Sequence, residues 1–139
     1  MAWDGSVKVW GEVVPLDRLP RKDLDALIAV RKEVSFPKGA VLMSEGEPGR
    51  EAFLITEGTV SVKRGRKKIA ELGPGNLVGE MALIVDEPRS ATVTALEPIR
   101  AYSVPRSKFS QVLERPTVWW LVAKFLAQRL RDENTIAVA

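Results

Sequence analysis

The chain has 139 residues, 45% of them hydrophobic and 28% charged, with a net charge of +3 from 21 basic and 18 acidic side chains. That is enough for one domain with a core of its own, and the charge is too mild to argue for nucleic acid. The chain has no cysteine and no histidine. This excludes disulfides, thiol catalysis, thiolate zinc sites, a Ser-His-Asp triad and any imidazole base or ligand. No metal site is expected: a carboxylate-only site remains open in principle, but no EF-hand spacing occurs.

The N-terminal Met1-Ala2-Trp3-Asp4-Gly5 has no basic stretch followed by an apolar one, so no secretory signal is read there. No apolar run approaches the ~20 residues that span a bilayer. A cytoplasmic chain is expected. Residues 1–14 carry Trp3 and Trp10 with little periodicity and are read as an arm or short helix packed on the body.

Residues 20–34 read as helical. Pro20 suits a first turn, and Leu24, Leu27, Ile28 and Arg31 follow the spacing of one helical face.

From Ser35 to Val104 short apolar runs are cut by Gly and Pro every six to twelve residues. The runs are Ala40–Met43, Ala52–Ile55, Thr59–Lys63, Lys68–Leu72, Ala91–Ala95 and Arg100–Val104. Turn chemistry separates them, as at Glu45-Gly46-Glu47-Pro48-Gly49 and Gly73-Pro74-Gly75. Many short strands at this spacing predict an antiparallel sandwich or roll, and helices on both sides make the class α+β.

Residues 107–135 read as helical again. Ser107 is a candidate cap before Lys108–Glu114, Pro116 breaks or restarts the helix, and Thr117–Glu133 reads as one long segment. Val118, Leu121, Val122, Phe125 and Leu126 make one stripe, which Trp119, Ala123 and Leu130 widen until the first half is apolar nearly all round. Such a helix is covered on two sides, one by the roll and the other by a second copy or a missing partner. The Trp119-Trp120 pair reads as core or dimer packing. The basic run Lys63–Lys68 reads as a solvated hairpin tip around Gly65.

The β pattern is interrupted from Gly79-Glu80-Met81-Ala82-Leu83 to Pro88-Arg89-Ser90-Ala91-Thr92-Val93. This stretch has the makings of an anion site. Backbone N–H groups at the start of a short helical turn favour negative charge, Gly79 permits close backbone approach, and Arg89 offers a planar fork matched to phosphate oxygens. Ser90 adds a hydroxyl, and Glu80 is an acceptor suited to a sugar hydroxyl.

The Gly-Glu-Met-Ala-Leu and Arg-Ser-Ala-Thr-Val elements resemble the phosphate-binding cassette of the cyclic-nucleotide-binding domain family. The resemblance runs from about Val14 to Arg131. It includes Phe36-Pro37-Lys38-Gly39, the Glu45–Gly49 turn, Phe53–Val62 and Leu72-Gly73-Pro74-Gly75, and it looks most like bacterial members such as the binding domains of cyclic-nucleotide-gated potassium channels. It implies a β-roll, or jelly roll, over 35–106, with a cassette at 79–91, an N-terminal helical part at 15–34 and C-terminal helices at 107–135, all in one domain spanning 1–139. The ligand implied is cAMP, or alternatively cGMP, and no other cofactor. Arg89 would bind the cyclic phosphate, and Glu80 would accept from the ribose 2′-hydroxyl, with Gly79 closing on the sugar. The backbone of Met81 and Ala82, the Ser90 hydroxyl and Ala91 would complete the cradle. Val62, Ala70 and Val78 would touch the base. Arg129 falls where some members cover the base, and Glu133 and Asn134 where others reach the adenine. The usual Pro-Leu-Phe lead-in is Val14-Pro15-Leu16-Asp17-Arg18-Leu19 here, without the aromatic residue.

No enzymatic activity is expected. The function implied is a regulatory sensor that reports occupancy through its C-terminal helix to a second copy or an effector protein. No DNA-binding helix-turn-helix pattern follows that helix. An alternative is a structural or protein-interaction domain that kept the roll and lost the ligand. A cupin-type enzyme shares the roll but ordinarily holds metal through histidines.

Overall fold

The computed structural model describes residues 4, 6–9, 12–14, 19–80, 86–117, 119, 120 and 123. The elements assigned among the described residues run in the order β1 (Val7–Val9), β2 (Glu12–Val14), α1 (Arg21–Ala29), β3 (Lys32–Phe36), β4 (Val41–Met43), β5 (Glu51–Glu57), β6 (Val60–Arg64), β7 (Lys67–Leu72), β8 (Leu77–Val78), β9 (Thr92–Ala95), β10 (Ile99–Pro105) and α2 (Arg106–Leu113).

Two four-stranded sheets form the body, in the orders β3-β10-β5-β8 and β4-β9-β6-β7, and every pairing within them is antiparallel. This is the expected roll. The inward residues follow the period of two that a strand imposes. On β10, Ile99, Ala101 and Ser103 are buried, while Arg100 and Tyr102 face outward to differing degrees. On β9, Val93 and Ala95 are buried. Val93, Ala95, Ile99 and Ala101 meet Phe53, Ile55, Val60, Val62, Val78 and Ala91 in one core cluster between the sheets. Phe36 and Phe53 pack edge to face, with centroids 5.5 Å apart and planes at 87°, on the two strands flanking β10, a favoured arrangement of ring quadrupoles.

The structure corrects the sequence reading at four places. Residues 7–9 and 12–14 are not helical but pair as antiparallel strands, with Val7 opposite Val14 and Val9 opposite Glu12. Val-Lys-Val and Glu-Val-Val are rich in β-branched residues, which suit a pleated surface. The Lys8 amide donates to the Gly75 carbonyl at 2.7 Å and docks β1 on the body.

The first helix ends at Ala29 rather than 34, because residues 32–36 pair with β10 from Ser103 to Ile99. Val34 and Phe36 alternate with exposed neighbours there, a strand period that the helical spacing concealed. Arg31 is therefore off the helix, and its guanidinium sits 4.7 Å from the centroid of the Tyr102 ring. Ile28 is exposed, and the buried residue of α1 is Asp23.

At the second helix Ser107 is not the cap. The helix starts at Arg106 after Pro105, with no side-chain cap bond.

Pro116, Thr117, Trp119, Trp120 and Ala123 are helical. Trp119 and Trp120 are 57% and 71% exposed, so they are not core within the chain itself. Among the described residues no helix is long and apolar enough to cross a membrane. The remainder of the long C-terminal segment, with Arg129, Glu133 and Asn134, lies outside the described residues.

Candidate functional site

The site is assembled where three segments converge: the start of β5, the end of β8 and the chain leading into β9. The turn after β7 brings the first two together. Gly75 donates to the Ile55 carbonyl at 2.7 Å and Ile55 donates to the Asn76 carbonyl at 2.9 Å. The Asn76 side chain closes the same turn on the Gly73 carbonyl at 3.0 Å. β8 then pairs with β5, with Val78 opposite Phe53, and delivers Gly79 beside Glu51.

Gly79 is buried, in the left-handed region at φ 75°. A Cβ there would lie 2.5 Å from Arg89 Nη1, 2.9 Å from Met43 Cε and 3.2 Å from the Glu51 carbonyl oxygen. Glycine is demanded twice over, by conformation and by the approach of the guanidinium.

The third segment is pinned by the turn between β4 and β5. The Arg89 amide donates to the Glu47 carbonyl at 2.8 Å, and the Arg89 carbonyl accepts from Gly46 at 2.9 Å. Pro48 and Pro88 form an isolated bridge, and the Glu45 amide donates to Thr92 Oγ1 at 3.0 Å. Arg106 adds a clamp from α2: its amide donates to the Arg50 carbonyl at 2.9 Å and its guanidinium reaches Asp86 at 3.3 Å. The backbone of Arg89 is thus fixed on both sides before its side chain makes any contact.

That side chain is half-buried. Arg89 Nη2 donates to the Glu51 carbonyl at 2.7 Å, and Nη1 makes a long contact of 3.5 Å to the Gly79 carbonyl. Burial lowers the guanidinium's pKa from its ordinary value, while the nearby charges of Glu51 and Glu80 act in the opposite sense. A cation oriented by neutral carbonyls and drawn partly out of water is suited to binding an anion, because its remaining donors are already aimed.

The other expected site residues are distributed as follows. Glu80 is half-buried beside Gly79, and its charge acts on Arg89. Ala91, Val62 and Val78 are buried in the core cluster. Ala70 is partly buried and pairs with Val62 across β6 and β7. Ser90 is exposed, and its carbonyl accepts from Arg64 Nε at 3.2 Å. Met81 and Ala82 lie outside the described residues.

The basic run forms the β6–β7 hairpin tip. Gly65 sits there at φ 61° and donates to Glu45 Oε1 at 2.8 Å, and Lys68 pairs with Glu71 at 2.8 Å.

Sequence reasoning missed Glu51, Glu47 and Met43. The two glutamates act on Arg89 through carbonyl oxygens, which carry no residue signature. Among the described residues no cluster of acidic side chains could hold a metal ion.

The profile of the family described as "Cyclic nucleotide-binding domain" matches residues 33–116. The chain is 35% identical over 117 residues to the Pycsar effector protein XpPycTIR of Xanthomonas perforans, covering 83% of this chain and 39% of that protein. It is 32% identical over 118 residues to the CRP-like cAMP-activated global transcriptional regulator of Mycobacterium tuberculosis, covering 78% and 53%. The chain therefore spans about two-fifths to half of the length of these relatives. The crystal structure of Thermus thermophilus catabolite activator protein superposes with a TM-score of 0.74 at 30% identity, over 85% of this chain and 59% of that one. With its roll, its interrupted β pattern and its guanidinium in place, the chain belongs to the cyclic-nucleotide-binding domain family, whose members are ligand-sensing modules.

Proposed function

We propose that the chain senses cAMP, and that Arg89 is the residue that takes the cyclic phosphate. The observation that carries this is the Arg89 guanidinium, half-buried and held by the carbonyls of Glu51 and Gly79 at the entrance to the cassette. In the bound state Arg89 pairs with the phosphate, helped by the backbone of Met81 and Ala82 and the Ser90 hydroxyl. Glu80 accepts from the ribose 2′-hydroxyl, Val62, Ala70 and Val78 flank the base, and Arg129 covers it. cAMP is preferred to cGMP in this reading, although Ser90, the residue after Arg89, is intermediate and its hydroxyl could serve the phosphate in either complex. The name of the Mycobacterium tuberculosis regulator, which is cAMP-activated, supports the same choice.

The chain acts as a regulatory element rather than as an enzyme, in the cytoplasm, and passes occupancy to a second copy or an effector through the helix after Pro116. A ligand transmits a signal only through a difference in affinity between two helix positions, so the site must bind cyclic nucleotide more tightly with the helix in one position than in the other. Titration calorimetry of refolded, ligand-free protein with cAMP and then cGMP tests this. Micromolar or tighter binding is expected, with cAMP the tighter. No heat and no thermal stabilisation with either would leave a structural domain that kept the roll.

A further inference from the structure

Glu51 is the residue of the site that its own backbone role does not explain. Its carbonyl oxygen holds Arg89 Nη2 at 2.7 Å, a task any residue could perform. Its side chain is fastened separately: Glu51 Oε2 accepts from the hydroxyl of Ser103 at 2.7 Å. Ser103 is buried on β10, the strand paired with β5 at Phe53. The carboxylate is thereby tied to β10, on a residue whose own main-chain oxygen touches the Arg89 guanidinium. Its charge and that of Glu80 both act on Arg89 before any ligand arrives.

Resting on the reading of the site as a cyclic-nucleotide pocket, we infer that Glu51 is a charge filter that selects a cyclic phosphodiester over the linear nucleoside monophosphate. The two ligands share base, sugar and phosphorus but differ in charge. The cyclic diester is a monoanion, whereas a phosphate monoester carries −1.5 to −2 at pH 7 with a second pKa of about 6. Repulsion from the fixed carboxylate scales with ligand charge, so the linear form is penalised about twice as heavily. Ser103 keeps that charge from swinging into solvent, where water would screen it.

The test is calorimetric titration of the wild type, Glu51→Gln, Ser103→Ala and the double variant with cAMP and with 5′-AMP. Glu51→Gln keeps the side chain's shape and an acceptor for Ser103 while removing the charge. The ratio of the 5′-AMP Kd to the cAMP Kd should fall by about five- to tenfold in Glu51→Gln, the Coulomb effect of one charge several ångströms away at intermediate dielectric. In Ser103→Ala, which keeps the charge but frees it to move into solvent, the ratio should fall in the same direction and by no more than in Glu51→Gln. Glu51→Ala carries the same expectation as Glu51→Gln and serves if the glutamine variant does not fold. A ratio unchanged in the Glu51 variants overturns the filter, as does a fall caused by Ser103→Ala that recurs in the Glu51→Gln background, where no charge remains to be released. If the wild type binds neither nucleotide, the pocket reading itself fails and the filter falls with it, an outcome distinct from an unchanged ratio on a protein that binds cAMP.

Discussion

Arg89 and Glu51 stand 38 positions apart in the chain, and the guanidinium of the first donates to the main-chain oxygen of the second at 2.7 Å. The contact joins the C-terminal part of the cassette to the first residue of β5. Arg89→Ala should weaken cyclic-nucleotide binding by about 2–4 kcal/mol, about 30- to 1,000-fold, the range for truncating one partner of a buried charge pair. Arg89→Lys should recover only part of this, because an ammonium has no planar fork. Calorimetry on both variants checks it, and wild-type affinity in Arg89→Ala would refute the assignment.

Gly79 and Gly39 separate strain from crowding. Both lie in the left-handed region, at φ 75° and 87°. A Cβ at Gly39 would meet nothing within 4 Å, whereas at Gly79 it would press on Arg89 and Met43. Gly39→Ala should cost roughly 1–2 kcal/mol from the backbone alone and leave ligand affinity untouched. Gly79→Ala should cost more stability and also weaken binding by displacing the guanidinium. Urea unfolding together with titration of both variants distinguishes the two effects.

Asp23 on α1 is buried and accepts hydrogen bonds from Thr117 and from Arg115, the latter at 2.8 Å, just beyond α2. These two bonds, Thr117 first, hold the carboxyl below its ordinary pKa. A carboxylate with a depressed folded-state pKa contributes stability that is present above the unfolded value, about 3.9, and is lost as pH falls through the folded value. Asp23→Asn should therefore be less stable than wild type at neutral pH, with the gap closing below pH 4. Thermal melts of both proteins from pH 7 to pH 3 measure it. A gap that does not narrow at all as the pH falls from 4 to 3 would show that the charge is irrelevant.

Ile55 on β5 is fully buried among the core side chains. Ile55→Ala should destabilise by about 2–5 kcal/mol, the transfer loss plus the cavity, while the protein that remains folded still binds cyclic nucleotide. Denaturant unfolding with and without ligand checks both halves.

What was legible in the sequence was local. The six apolar runs match β4, β5, β6, β7, β9 and β10 within a residue or two, because period-two alternation and the Gly and Pro breaks act over a few neighbours. The Gly79-Glu80 and Pro88-Arg89 elements were legible for the same reason: the side chains proposed to meet the ligand are themselves in the motif.

The tertiary structure decided what depends on partners distant in the chain. Residues 32–36 are a strand because β10 pairs with them, although their spacing continues a helical face. Asp23 rather than Ile28 is the buried residue of α1 because Arg115 and Thr117, more than ninety positions away, satisfy its carboxylate. Arg89 is oriented by the main-chain oxygens of Glu47, Glu51 and Gly79, groups that every residue carries and no sequence pattern marks. The sequence alone determined the candidate motif residues, Gly79, Glu80, Arg89 and Ser90 among them. Where those side chains point was decided by backbone atoms that only the folded sheets bring together.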